Sequence, residues 1–149
     1  MIGTNSGMMP ATYQAPPENI PVEFFIPGVP APQGSKTAFV VGKRAIVTDA
    51  NREKLKPWRG IVTAHADLGV TFDCPVSVEL IFIMPKPKKP RWSTPAVKPD
   101  VDKLVRAVFD GLTDAGLLAD DARVVHLLAT EMYTEPGEPV GVYVKVVAL

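Results

Sequence analysis

The sequence predicts an α/β or α+β fold in which strands outnumber helices, and three observations carry that reading. Strand-length apolar runs recur along the chain, one segment repeats apolar residues at helical spacing while another is bounded by helix cap and stop residues, and turn residues punctuate the boundaries. At 149 residues the chain has the length of one domain, with an apolar content ordinary for a packed globular protein.

Residues 1–20 mix Gly, Asn, Ser, Thr, Gln and Pro without periodicity and read as a flexible N-terminal leader, leaving 21–149 as the folded domain. Val22 to Ile26 is a strand-length run stopped by Pro27-Gly28, and Pro30 to Lys36 is a loop. Thr37 to Val41 and Arg44 to Thr48 flank Gly42-Lys43 as the two arms of a hairpin. Thr48 or Asp49 can cap a helix running to Ala66, with Gly69 just past its end; Pro57 either opens that helix or kinks it.

Val76 to Met84 is the strongest strand. One face carries Val76, Val78, Leu80, Phe82 and Met84, and the other turns apolar at Ile81 and Ile83, which suits a central position. Pro85 to Pro99 is a basic, proline-rich loop. Val101, Leu104, Val105, Val108 and Leu112 then form one helical stripe, with Gly116 as its stop. Val124 to Tyr133 reads as a strand, residues 135–138 as a turn, and Val140 to Val147 as a final strand.

Composition excludes several classes. No apolar run approaches the roughly 18–20 residues of a membrane helix, and no secretory signal opens the chain. Cys74 is alone and only His65 and His126 are present, so neither a disulfide framework nor a zinc finger is available. A reducing cytosol fits that usage. Gly34-Ser35-Lys36 matches the end of a phosphate-binding loop, but Val29 stands where its first glycine belongs, so no nucleotide cofactor is expected.

Charge sums to zero yet is segregated. Asp100 and Asp102 open the second helix, where its N-terminus favours carboxylates, and Asp120-Asp121 precede a strand. Taken singly, each pair has a plainer explanation as a cap or a polar turn. Together they could gather several carboxylates, which need a hard cation such as Mg²⁺ (or Mn²⁺). Such ions activate water for phosphodiester hydrolysis, and Arg106 could stabilise charge on the phosphate. Distance opposes this within one chain, because a helix from Val101 to Ala115 is about 21 Å long. A shorter helix, or a site completed across a dimer, would relieve the strain.

The loop before that helix holds Lys86, Lys88, Lys89, Arg91 and Lys98 around Trp92. It reads as a DNA-binding element, with lysines for phosphates and the indole for an unpaired base. Lys36 and Lys103 are further candidates for phosphate contact. The histidines and Trp58 read as structural.

The stretch Lys98-Pro99-Asp100-Val101-Asp102-Lys103-Leu104 to Arg106-Ala107-Val108-Phe109-Asp110-Gly111-Leu112 resembles the RusA family of Holliday-junction resolvases. The likeness runs on from Ala115 through Asp120-Asp121 to Val124-Val125, and Gly28 to Lys36 is similar to the N-terminal loop of phage-borne members. The resemblance implies a RusA-like fold, a small mixed sheet with two main helices in a single domain. It implies Asp100, Asp102 and Asp121 as metal-binding catalytic carboxylates, Asp120 assisting, and Arg106 as the functional cation. It further implies a Mg²⁺-dependent homodimer that nicks four-way DNA junctions in recombination and repair, in a bacterial cytoplasm and often phage- or prophage-encoded. Two positions depart from the pattern: Lys103 stands for an asparagine and Arg106 for a lysine. Two alternatives remain beside this one, a broader flap or fork nuclease and a branched-DNA-binding protein without catalysis.

Overall fold

The structure, a computed structural model, describes residues 14–16, 20–34, 36–49 and 52–149, and for 36–41, 44–49 and 52 the backbone alone. The expected leader at 1–20 lies mostly outside the described residues. Within it Gln14 pairs with Val70, its N–H donating to the Gly69 carbonyl at 3.0 Å. The capping side chains expected at Thr48 and Asp49, and the side chain of Lys36, also lie outside the described part.

The elements follow in the order β1 (Val22–Pro27), β2 (Lys36–Val41), β3 (Arg44–Asp49), α1 (Arg52–Ala66), β4 (Val76–Met84), α2 (Val101–Asp114), β5 (Val124–Tyr133) and β6 (Gly141–Ala148). β2 and β3 form the expected hairpin as a separate two-stranded sheet. The main sheet is mixed, in the order β1-β6-β4-β5. β4 is interior as its two apolar faces required, antiparallel to β6 and parallel to β5. Parallel neighbours need a crossover, and α2 with its flanking loops supplies it. The turn at 135–138 therefore makes no hairpin, because β4 lies between β5 and β6.

Val76, Val78, Leu80, Phe82 and Met84 of β4 join Val142, Val144 and Val146 of β6 and Ile26 of β1 in the core beneath the helices. Pro57 sits inside α1 rather than at its start. Trp58, Val62 and Ala66 of that helix are buried, as are Leu104, Ala107, Val108 and Leu112 of α2.

α2 ends at a Schellman turn. Gly116 takes φ +83°, the Leu117 N–H reaches the Leu112 carbonyl at 3.0 Å, and the Gly116 N–H reaches Thr113 at 3.0 Å. Across the helix pair, a Cβ built on Gly111 would lie 2.5 Å from Val62 Cγ1 and 2.8 Å from its Cβ. The two helices thus meet at a distance that only glycine permits. Arg59 of α1 clamps the end of the pair through a 2.8 Å salt bridge to Asp114.

Gly111→Ala is expected to destabilise the fold by about 1–3 kcal/mol through overpacking, read as a lower urea midpoint at unchanged slope. In Gly111→Ala/Val62→Ala the combined loss should be smaller than the sum of the two single losses, since the second change removes the clash.

Candidate active site

Asp100 occupies the N-cap position of α2 in extended conformation, yet its side chain makes no capping hydrogen bond. The carboxylate is exposed and lines a cleft of about 1130 Å³. The floor of the cleft is Trp58, Met84 and Tyr133, and one wall is the Val29–Gly34 loop. That loop is tied to the helix by a 3.0 Å hydrogen bond from the Gln33 N–H to the Lys103 carbonyl. Lys54, Lys86, Lys98 and Lys103 also line it, so the acid end of α2 faces a rim of lysines.

Glu131 of β5 enters the same cleft, and the sequence reading missed it. Strand register puts it opposite Phe82, on the helix-facing side with Ala129 and Tyr133. Its Oε1 is buried without a hydrogen-bond partner. Burial first, and then the Asp100 charge, push its pKa up to about 7. An acid on the covered face of an otherwise apolar strand was the available signal; only knowledge of which face is covered turns it into a site residue.

At the opposite end of α2 the acids are arranged differently. Asp120 caps a single 3-10 turn, Asp121–Arg123, accepting from the Ala122 N–H at 2.8 Å. Asp121 accepts a hydrogen bond from the Thr113 hydroxyl. The pKa of Asp110 is raised, chiefly by burial and then by Asp121 and Asp114, while Arg59 and Arg106 oppose the shift. Arg123 is held at 2.8 Å by Asp73.

The four carboxylates singled out in the sequence are therefore not brought together within one chain. Among the described residues no group of three or more His, Cys, Asp or Glu side chains is placed to hold a metal ion. The physical reason is α2 itself, unbroken over 14 residues and about 21 Å long. Between its ends, Asp102 and Arg106 are exposed and one turn apart, and Asp110 and Thr113 continue that face towards Asp121.

The basic loop is exposed. The Arg91 guanidinium stacks over the Trp92 ring at 5.1 Å, an arrangement that presents a cation on a half-exposed indole. Lys86 and Lys98 face the cleft, while Lys88, Lys89, Arg91 and Trp92 stand on the surface outside its lining. His65 hydrogen-bonds the Ile61 carbonyl at 2.9 Å, His126 meets Ser77 Oγ at 3.0 Å, and Trp58 is core, all as structural residues.

A family model described as Endodeoxyribonuclease RusA matches residues 27–147, from the end of β1 almost to the end of β6. The chain belongs to the RusA endodeoxyribonuclease family. As a RusA-family protein it is an endonuclease, a hydrolase of DNA phosphodiesters, and its substrate class is the branched junction that the family resolves. No curated protein matches it. No helix among the described residues is long and apolar enough to cross a membrane.

The Glu131 geometry predicts a pH-dependent stability. Its folded pKa lies above the unfolded value of 4.5, so ionisation opposes folding: the cost is absent below about pH 4.5, grows as pH rises, and is complete above about 7. Glu131→Gln should therefore raise the melting temperature at pH 8 and leave it near the parent's at pH 4.5. Solvent screening at this partly exposed site keeps the gain to a few degrees.

Proposed function

We propose that the chain is a Mg²⁺-dependent crossover-junction endodeoxyribonuclease that acts as a homodimer on four-way DNA in recombination and repair. The observation that carries this is the pair Asp100 and Glu131 in a lysine-lined cleft, with one buried carboxylate oxygen lacking any partner. An orphaned, desolvated acceptor beside a second acid suits a hard divalent cation, and the surrounding lysines suit the phosphates on either side. Two carboxylates are too few for a complete site. Asp121, at the far end of α2 in its own chain, is best read as supplied by a second copy, so that each cleft draws ligands from two subunits.

In this reading Asp100, Glu131 and Asp102 of one subunit and Asp121 of the other hold the ion, with Asp120 positioning Asp121 through the turn it caps. When bound, Mg²⁺ polarises the phosphate and makes water a competent nucleophile near neutral pH. Arg106, on the exposed face of α2 between the two acidic groups, sets a fixed positive charge towards the scissile phosphate. Lys86, Lys98 and Lys103 steer the backbone into the cleft, Lys88, Lys89 and Arg91 hold the flanking duplex, and Lys36 adds a phosphate contact. Trp92 stacks on a base freed at the branch point. Two such sites related by a two-fold axis match the paired cuts a junction requires. We assign residues 21–149 to the nuclease domain and the enzyme to a bacterial cytoplasm, encoded by a phage or prophage.

A labelled four-way junction incubated with the protein should be nicked symmetrically only when Mg²⁺ is present. Asp102→Asn should lower the rate by about 100-fold or more, since even outer-shell partners of metal ligands are worth about 10–100-fold. Binding without cutting under any divalent ion would replace this reading with a non-catalytic junction-binding protein. Equal cutting of flaps and forks would broaden the substrate.

Site sharing has its own test. Asp102→Asn and Asp121→Asn proteins are each expected to be inactive, but refolded together they should recover nicking of one strand, because each mixed dimer then holds one intact site. Recovery of nothing would place both aspartates in the same subunit's site.

A further inference from the structure

The cleft holds more apolar surface than a metal ion and a phosphate can use. Away from its acids and lysines the lining is aliphatic, aromatic and above all proline. Pro30 comes from the loop after β1, Pro57 from α1, and Pro85 and Pro99 from the two ends of the basic loop. Buried Trp58 and Tyr133 lie beneath them. Towards solvent the apolar character continues: Val29 is 60 % exposed and Val97 47 %, both on the lining of this one cleft and from separate loops. One exposed valine is ordinary, whereas two flanking an apolar cleft extend it as a binding surface.

The walls are also set in advance. Proline gives up almost no side-chain freedom when a ligand covers it. The loop after β1 is held at both ends, by the Gly28 N–H on the Val140 carbonyl at 3.1 Å and the Gln33 N–H on the Lys103 carbonyl at 3.0 Å. At about 1130 Å³ the cleft exceeds the roughly 300–1,000 Å³ of sites for one small organic molecule, leaving room for a ring beside a phosphate.

We propose that the apolar part of the cleft receives one nucleobase, unstacked from the DNA at the branch point and belonging to a nucleotide next to the scissile phosphate. This rests on the nuclease reading above and names what selects the place of the cut.

The chemistry of DNA fixes the occupant. Its broad apolar surfaces are the faces of the bases, and a continuous duplex hides them by stacking. An apolar cleft on a DNA-cutting protein is therefore filled by a base that has left the stack. Extrusion costs least where stacking is already interrupted, and in a four-way junction that place is the crossover. Charge favours the same occupant. Lys54, Lys86 and Lys98 line the cleft as well, so phosphates on either side of the base meet cations while its ring meets proline and valine. Trp92 stands outside the lining, so the base that stacks on it is a different one. Selectivity for structure follows, because a linear duplex brings the same phosphates but no base at comparable cost.

The test uses the full chain, first without metal, bound to a four-way junction carrying 5-iododeoxyuridine in turn at the nucleotides flanking the crossover. Irradiation should attach one of these bases to Trp58, Met84 or Tyr133 in the junction and not in a linear duplex of the same sequence. Attachment to Trp92 alone, or equal attachment in the duplex, would overturn the proposal. Cleavage with Mg²⁺ decides independently if no adduct forms. An abasic site at the nucleotide beside the cut should slow nicking, and a mismatch opposite its base, which eases extrusion, should quicken it. Val29→Ser/Val97→Ser, changed at exposed positions outside the metal site, should keep parental circular dichroism and cut about 10-fold more slowly through lost apolar contact. Nicking that ignores the abasic site, the mismatch and both valines would overturn the base site and leave a metal-dependent nuclease in place. A protein that neither binds nor nicks junctions would overturn the nuclease reading and this inference with it.

Discussion

Everything in this chain is arranged around one stiff element, α2, seated on α1 through the contact between Gly111 and Val62. Because glycine lets the helices approach until no Cβ would fit, α2 packs closely against α1 and reaches β5, with Leu104, Ala107, Val108 and Leu112 buried. The Schellman turn at Gly116 and the Arg59–Asp114 salt bridge hold its far end. A helix fixed at both ends acts as a ruler. It holds Asp100 at the cleft and Asp121 beside Thr113, and no side-chain rotamer spans the distance between them.

Electrostatics at the two ends follow from what the ruler sets beside each acid. At the cleft end, Asp100 leaves its capping role unfilled and Glu131 is forced into a partly dry position against it, which raises the acid's pKa. The ionised form of Glu131 is disfavoured there. At the other end Asp121 is already satisfied by a hydroxyl and Asp120 by a backbone N–H, so these acids are oriented rather than strained. Lysines crowd the first end and arginines brace the second, through Arg59 to Asp114 and Arg123 to Asp73. Lys86 and Lys98, at the two ends of the basic loop before α2, line the same cleft as Asp100 and Glu131.

Local pattern determined much of this protein. The β4 alternation, the α2 stripe, the Gly116 stop and the motif from Asp100 to Asp121 are short-range features, set by side-chain period, turn chemistry and helix caps, and they were legible in the sequence along with the family. Three matters depended on long-range packing. Pairing put β4 between β5 and β6, so a plain turn at 135–138 joins strands that never touch. Register turned Glu131 onto the covered face, which a strand with apolar residues on both faces does not disclose. The rigidity of α2, secured by a glycine contact with a residue 49 positions earlier, decided that the carboxylates stay apart in one chain. Sequence spacing states how far residues lie along the chain, and only the packed fold states how far they lie through space.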